Sequence, residues 1–502
     1  MKRPAIGVVA ALLCFVLPSS AARRDAWVEV RSPHFVVVSN AGEQAARRTA
    51  VDFEQIRALF RNALPVAAIE PAPTITILAL KDTDSLQYLL ADFWKSGHAR
   101  PAGIFSHRMN QFYIAVDLSA PGANPYATIY HEYFHSLTTP YFPNLPTWLA
   151  EGLAEFYGNT LIGDTQAEMG ISDPDLVAQL RHSQPIPLET LLAVDHASPY
   201  YNEREKTSMF YAESWALTHY LMVGDNGAHH QMLLDYLSAI NRGASSIDAA
   251  RKTLGQLSDL EEKLVQYGNR YQFTSLHAPA PPRIADRDLT AQPISEAEAA
   301  MYRGGFLAIH GQTSAAIALL ETAAKAAPNS ALARTNLAVA YFLAGNRTEA
   351  LDSASRAISL DPANAVTRYI RAYLSFRGSM LQANPLIEAD LRAAVAADPN
   401  FAPPHALLAA YLAAQGRDLP TAYDSAQKAV SFEPRNSMYE LVLAKVLGRM
   451  ERYDESHAAA LRARACASDP ADQRSADAYL SFLARQTNSP ANAAQLTLAP
   501  QP

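Results

Sequence analysis

Cysteine is nearly absent, with two in 502 residues, Cys14 and Cys466. Cys14 falls in an N-terminal apolar stretch that reads as a removable leader. The mature chain then keeps one thiol, which excludes any intrachain disulfide. Cys466 reads as a small residue inside a helical pattern. Basic excess is also missing: 42 Lys and Arg stand against 49 Asp and Glu, a net charge of −7. That gives no footprint for nucleic acid. Beyond the N-terminus no apolar run is long enough to cross a bilayer, so no stable membrane span is expected once the leader is cleaved.

The leader itself is MKRPAIGVVAALLCFVLPSSAA. Lys2 and Arg3 form a basic start, Ala5 to Leu17 an apolar core too short to span, and Ser20-Ala21-Ala22 a small-residue cleavage site. This predicts a secreted protein, periplasmic in a bacterial cell, with an uncleaved N-terminal anchor as the alternative. The expected layout is a signal peptide at 1–22, a first domain at 23–275, a Pro-rich linker at 276–295, a repeat domain at 296–487 and a disordered tail at 488–502.

The most informative stretch runs from Ile129 to Phe156. It opens with His131-Glu132-Tyr133-Phe134-His135. On a helix, residues four apart share a face with Cβ atoms ~5–6 Å apart. Both imidazoles can then reach one metal ion, with Glu132 beside them as a base. Asn124 as N-cap and Pro125 at the first turn predict the helix start. Tyr126, Ile129, Tyr130, Tyr133, Phe134 and Leu137 form its core face. Thr138, Thr139 and Pro140 end it.

Two histidines do not complete a catalytic zinc site, which usually takes three protein ligands and leaves one position for water. A second predicted helix, Trp148-Leu149-Ala150-Glu151-Gly152-Leu153-Ala154-Glu155-Phe156, offers Glu151 as the third ligand. Glu155, one turn on, can accept a hydrogen bond from the far nitrogen of a ligating histidine.

H-E-x-x-H followed by W-L-x-E-G-x-A-E resembles the gluzincins, the zinc peptidases whose third ligand is glutamate. The resemblance is to the peptidase MA-like group and the aminopeptidase/leukotriene hydrolase family. It implies an α+β zincin-like domain, a small twisted sheet plus helices. It also implies Zn2+ held by His131, His135 and Glu151, with Glu132 as general base. In those enzymes an edge strand before the metal helix holds the substrate backbone, a role that would fall to Gln111–Asp117. Phe210 to Leu221 resembles the segment Y-x-K-G-A-x-x-L-x-x-L of the aminopeptidases. That implies a transition-state role for Tyr211, although Glu213 and Ser214 replace Lys and Gly. The amine-capturing G-x-M-E-N segment is missing, which argues for an endopeptidase.

Around these motifs, residues 27–120 alternate strand and helix patterns. Phe35–Val38 and Thr74–Leu80 read as strands. Glu43–Leu64 and Ser85–Lys95 read as helices, and Gly103–Ser106 with Gln111–Val116 as a hairpin. Residues 160–210 are interrupted by Pro174, Pro185, Pro187 and Pro199, and Tyr200, Tyr201, Asn202 and Glu203 could line a cleft there. His219 reads as structural.

The C-terminal part repeats. Prolines at 328, 362, 399, 434 and 470 close successive helix pairs. Each follows an alanine five residues earlier: Ala323, Ala357, Ala394, Ala429 and Ala465. The period resembles the tetratricopeptide repeat. It implies an all-α solenoid of five units, with residues 471–487 as a capping helix and a groove for a protein partner. The leading expectation is a zinc metallopeptidase acting on a peptide or protein substrate, its repeats binding substrate or partner. The alternative is a cell-envelope scaffold or assembly protein with little or no general proteolysis.

Overall fold

The computed structural model describes residues 26–63, 74–91, 102–120, 124–138, 142, 145–195, 198–202, 204–378, 384–467 and 470–487. The expected leader and tail lie outside these residues, as do Thr139 and Pro140.

A six-stranded mixed sheet forms the first layer. Its strands are β1 (Trp27–Arg31), β2 (Phe35–Ser39), β3 (Ile75–Leu80), β4 (Gly103–Arg108), β5 (Gln111–Asp117) and a late strand, β9 (Thr290–Ile294). Their order is β4-β5-β3-β2-β1-β9. The pairs β2–β3 and β3–β5 are parallel, and the remaining pairs antiparallel. Strands β6 (Leu161–Ile162), β7 (Gln166–Met169) and β8 (Leu276–Pro279) make a second small sheet.

Two expectations change here. Gln111–Asp117 is not an edge: β4 flanks it on one side and β3 on the other. The edge is β4, because the hairpin turn at Met109 and Asn110, both at positive φ, folds Gly103–Arg108 outward. The stretch 276–295, expected as a linker, supplies β8 and β9. Pro293 and the polar residues around it suit an edge strand, where a missing N–H leaves no ladder bond broken.

Side chains alternate between the two faces of the sheet. Phe35, Val37, Ile77, Ile114 and Val116 face a core shared with α1 (Glu43–Ala63) and α3 (Ala127–Thr138). Val36, Val38, Leu78, Tyr113 and Ala115 face the opposite core. Burial on both sides explains the unbroken apolar run Phe35–Val38. The short α2 (Thr83–Leu89) is capped by Asp82, which accepts from the Ser85 N–H.

Helix α4 (Thr147–Gly158) follows α3. Then come α5 (Pro174–His182), α6 (Leu188–Ala193), α7 (Pro199–Asn202), α8 (Arg204–Gly227), α9 (His230–Asn241), α10 (Ser246–Thr253) and α11 (Leu257–Gly268). Helix α8 breaks near its end, where Asp225 and Asn226 take positive φ. Trp148, Leu149, Phe210, Leu217 and Tyr236 anchor the core of this part.

The C-terminal part is a solenoid of helical hairpins, in pairs α12 (Glu296–Ile309) with α13 (Thr313–Ala326), α14 (Ala331–Ala344) with α15 (Arg347–Leu360), α16 (Ala365–Gly378) with α17 (Pro385–Ala397), α18 (Ala402–Gln415) with α19 (Leu419–Phe432) and α20 (Ser437–Arg449) with α21 (Tyr453–Ala465). Helix α22 (Pro470–Thr487) closes the stack. Ala323, Ala357, Ala394 and Ala429 are buried where paired helices meet. The fifth unit departs from the expectation: Ala465 is exposed and Ala463 takes the buried place. Pro470 opens α22 instead of closing the preceding helix, because proline fits a first helical turn. The first pair packs directly on the sheet, with Phe306 and Leu320 in one core with Val38 and Leu78.

Candidate metal centre

The site forms where α3 and α4 cross. Asn124 fixes the entry to α3. Its side chain accepts from the Tyr126 N–H at 2.9 Å and donates to the carbonyls of Thr160 at 2.9 Å and Gly158 at 3.3 Å. The helix therefore begins at Ala127, two residues later than the sequence suggests, and its start is tied to the end of α4. Ile129, Tyr130, Tyr133, Phe134 and Leu137 are buried against the sheet and α1. That turns His131, Glu132 and His135 toward α4 and α8.

Gly152 sets the approach of α4 to α8. A Cβ there would lie 2.1 Å from Thr218 Oγ1 and 2.3 Å from the Ser214 carbonyl oxygen. Trp148 anchors the same helix, its Nε1 donating to the Tyr236 hydroxyl at 3.1 Å. With Gly152 pressed on α8, Glu151 is carried onto the histidine pair.

Among the described residues, one cluster of histidine, cysteine and acidic groups could hold a metal: His131, His135 and Glu151. His135 Nε2 lies 3.1 Å from His131 Nε2 and 3.1 Å from Glu151 Oε2. His131 Nε2 lies 3.2 Å from the same oxygen. Ligands of one tetrahedral zinc, at bond lengths of about 2.0–2.1 Å, stand about 3.3–3.4 Å apart. The three donors form nearly that triangle. Two imidazole nitrogens and one carboxylate oxygen are ligands that zinc takes. The donor set therefore fits zinc.

His131 and Glu151 are buried, at 9% and 4% exposure. Burial works against the charged imidazole of His131, but hydrogen bonds to Glu151 and Glu155 outweigh it and raise its pKa. Burial likewise works against the Glu151 carboxylate, and the two histidines outweigh it and lower its pKa. Glu155 Oε1 stands 3.4 Å from His131 Nδ1, on the far side of the ring from the cluster. This is the placement a ring-orienting carboxylate needs.

Tyr211 also comes to the site, its ring centroid 6.2 Å from that of His131. Burial, then the charge of Glu151, pushes its hydroxyl pKa upward. The charge of Glu132 adds to the upward push on the pKa of both Tyr211 and Tyr201. Tyr201 is the residue whose role the sequence did not disclose. Expected only as a cleft-wall candidate, it donates to Glu151 Oε1 at 3.1 Å. No local pattern marks it, because the contact joins α7 to α4 across fifty positions. His219 is buried away from the cluster, its ring nitrogens taken by the Tyr267 hydroxyl at 2.7 Å and the Gly170 carbonyl at 2.9 Å.

A family model described as "Protein of unknown function (DUF1570)" matches residues 125–241. That window contains every residue of the cluster and both tyrosines. A second model, "Tetratricopeptide repeat", matches residues 307–374. Residues 307–374 are thus tetratricopeptide repeats within a solenoid of similar helical hairpins, and such repeats suggest protein–protein interaction or a scaffold role. Similar solved structures include two described as TPR proteins. YrrB, described as "a TPR protein with an unusual peptide-binding site", is 16% identical, with 36% of this chain and 92% of that one covered at a TM-score of 0.31. TTC0263, a thermophilic repeat protein of Thermus thermophilus, is 21% identical, with 37% and 99% covered at a TM-score of 0.30. MamA is 20% identical, with 34% and 91% covered at a TM-score of 0.29. No match was found among curated proteins.

Proposed function

We propose that the chain is a zinc-dependent peptidase of gluzincin type whose repeats bind its substrate or a partner protein. The observation that carries this reading is the triangle of donor atoms from His131, His135 and Glu151, with Glu132 next to His131 in the sequence. When bound, zinc lowers the pKa of a coordinated water toward about 7 and polarises a carbonyl.

The chain's own groups would do the rest. Glu132 accepts a proton from the attacking water and delivers it to the leaving amine. Tyr211 offers its O–H to the oxygen on which negative charge develops, an interaction worth roughly 2.7–4 kcal/mol in comparable sites. Glu155 holds the His131 ring through Nδ1. Strand β4 lies against α3: a Cβ at Gly103 would stand 2.6 Å from Ile129 Cδ1. As the terminal strand beside the metal helix, β4 is the edge onto which an extended peptide would add. The leader-like N-terminus supports a place in the cell envelope or outside it.

The deciding experiment is Glu132→Gln. It should retain zinc and lose peptide cleavage, and unchanged proteolysis would refute the assignment. A second reading is favoured by the family comparisons, which speak for the repeats and are silent on proteolysis. In it the protein is an envelope scaffold and the metal fold does little or no general hydrolysis. Incubation with unfolded casein, with and without chelator, separates the two. The scaffold reading predicts intact casein in both.

A further inference from the structure

We propose that Tyr201 is a positioning residue that sets how Glu151 presents its carboxylate to the metal; this rests on the metal-site reading above. The two oxygens of Glu151 have different neighbours. Oε2 faces both imidazoles, at 3.1 Å from His135 and 3.2 Å from His131. Oε1 accepts the Tyr201 hydroxyl at 3.1 Å. A carboxylate can bind a cation through one oxygen or both. A hydroxyl on Oε1 occupies a lone pair there, fixes the torsion of the carboxylate, and leaves Oε2 as the single ligand atom. At 4% exposure, Glu151 has little access to water that could do the same, and a buried charged oxygen without a donor is costly.

Tyr201 is itself held for this task. Its ring packs edge-on to Phe210 at 6.0 Å. Its backbone N–H donates to the Ser198 carbonyl at 3.0 Å, and its carbonyl accepts Thr207 Oγ1 at 3.2 Å. The Tyr211 ring packs against the same Phe210 at 5.8 Å. Of the two tyrosines, Tyr201 is the one hydrogen-bonded to Glu151.

The test is zinc competition against a chromogenic chelator on the full chain, paired with thermal unfolding of the metal-free protein. Tyr201→Phe keeps the ring on Phe210 and removes only the hydroxyl. Its zinc dissociation constant should rise about 10–100-fold, with the metal-free melting temperature unchanged. Tyr211→Phe should weaken zinc by less. The inference is overturned if Tyr201→Phe binds zinc within about twofold of wild type, well short of the loss expected for an orienting partner. It is also overturned if the metal-free variant is destabilised enough to account for the loss, or if Tyr211→Phe has the larger effect. A wild-type chain that binds no zinc overturns the metal-site reading and this inference together, whereas tight wild-type binding with an unaffected Tyr201→Phe removes the tyrosine's role alone.

Discussion

Gln111 Nε2 donates to Asn336 Oδ1 at 2.9 Å, joining the sheet of the N-terminal part to the second repeat of the solenoid. Asn336 is fully buried and passes the connection on, its Nδ2 donating to the Met301 carbonyl at 2.9 Å. Around this bond the β4–β5 hairpin lies against the repeats. Ser106 Oγ meets His310 Nδ1 at 3.0 Å, and Asn110 Nδ2 reaches Asp398 at 3.2 Å. Ile104 and Met109 pack in the same cluster as Leu332, Val366 and Tyr369. The hairpin whose outer strand edges the metal helix therefore touches the first three repeats.

This contact predicts one cooperative unit. Asn336→Ala strands the buried groups it served and should cost about 1–3 kcal/mol. Chemical denaturation should show a single transition, displaced as a whole, with sheet and helix signals moving together. Two separated transitions would show that the repeats fold independently of the sheet.

Gly152 makes a sharper prediction. A methyl group at this position meets the Ser214 backbone at 2.3 Å, and backbone cannot swing aside as a side-chain tip can. Gly152→Ala should destabilise the chain by about 1–3 kcal/mol through overpacking. It should also weaken zinc, because pushing α4 off α8 carries Glu151 away from the histidines. Zinc affinity preserved in a destabilised variant would uncouple the glycine from the site.

Much of this geometry was legible in the sequence. The spacing of His131 and His135 and the adjacency of Glu151 to Gly152 encode one face of each helix, and local periodicity carries that information directly. The repeats were legible for the same reason, since each unit restates one pattern. Long-range pairings were not. Thr290–Ile294 gains its strand only by pairing with Trp27–Arg31 across the chain, and its own residues favour a loop. The place of Gln111–Asp117 inside the sheet depends on which side the hairpin folds, which no local pattern states. Tyr201 was legible only as a tyrosine in an irregular segment.

A pH effect follows from Glu213, which accepts the Ile186 N–H at 2.9 Å. Burial, added to the nearby charge of Glu261, pushes its pKa up to about 8. The folded chain therefore holds this proton where the unfolded chain, with an ordinary carboxylate near 4.5, has released it. The sign is opposite to that of a salt-bridged acid. Stability from this group is complete below about pH 4.5, falls as pH rises, and levels off above about 8. Glu213→Gln retains an oxygen for the Ile186 N–H and cannot titrate. Its stability should vary less with pH than wild type between about 5 and 8, measured by denaturant midpoints. Equal slopes in the two proteins would contradict the assignment.

Metal linkage supplies the most direct check on the centre itself. A ligand that binds only the folded chain stabilises it by about 2.7 kcal/mol when present at about a hundred times its dissociation constant. Zinc should raise the melting temperature of the wild-type chain, and a chelator should reverse the rise. Glu151→Gln removes the anionic donor while keeping the side chain's size, so zinc should no longer shift its melting curve. Glu132→Gln leaves all three donors in place and should respond to zinc as wild type does. A melting temperature indifferent to zinc in the wild-type chain would leave the triangle of donors as a hydrogen-bonded triad, and the histidines as structural groups buried beside a carboxylate.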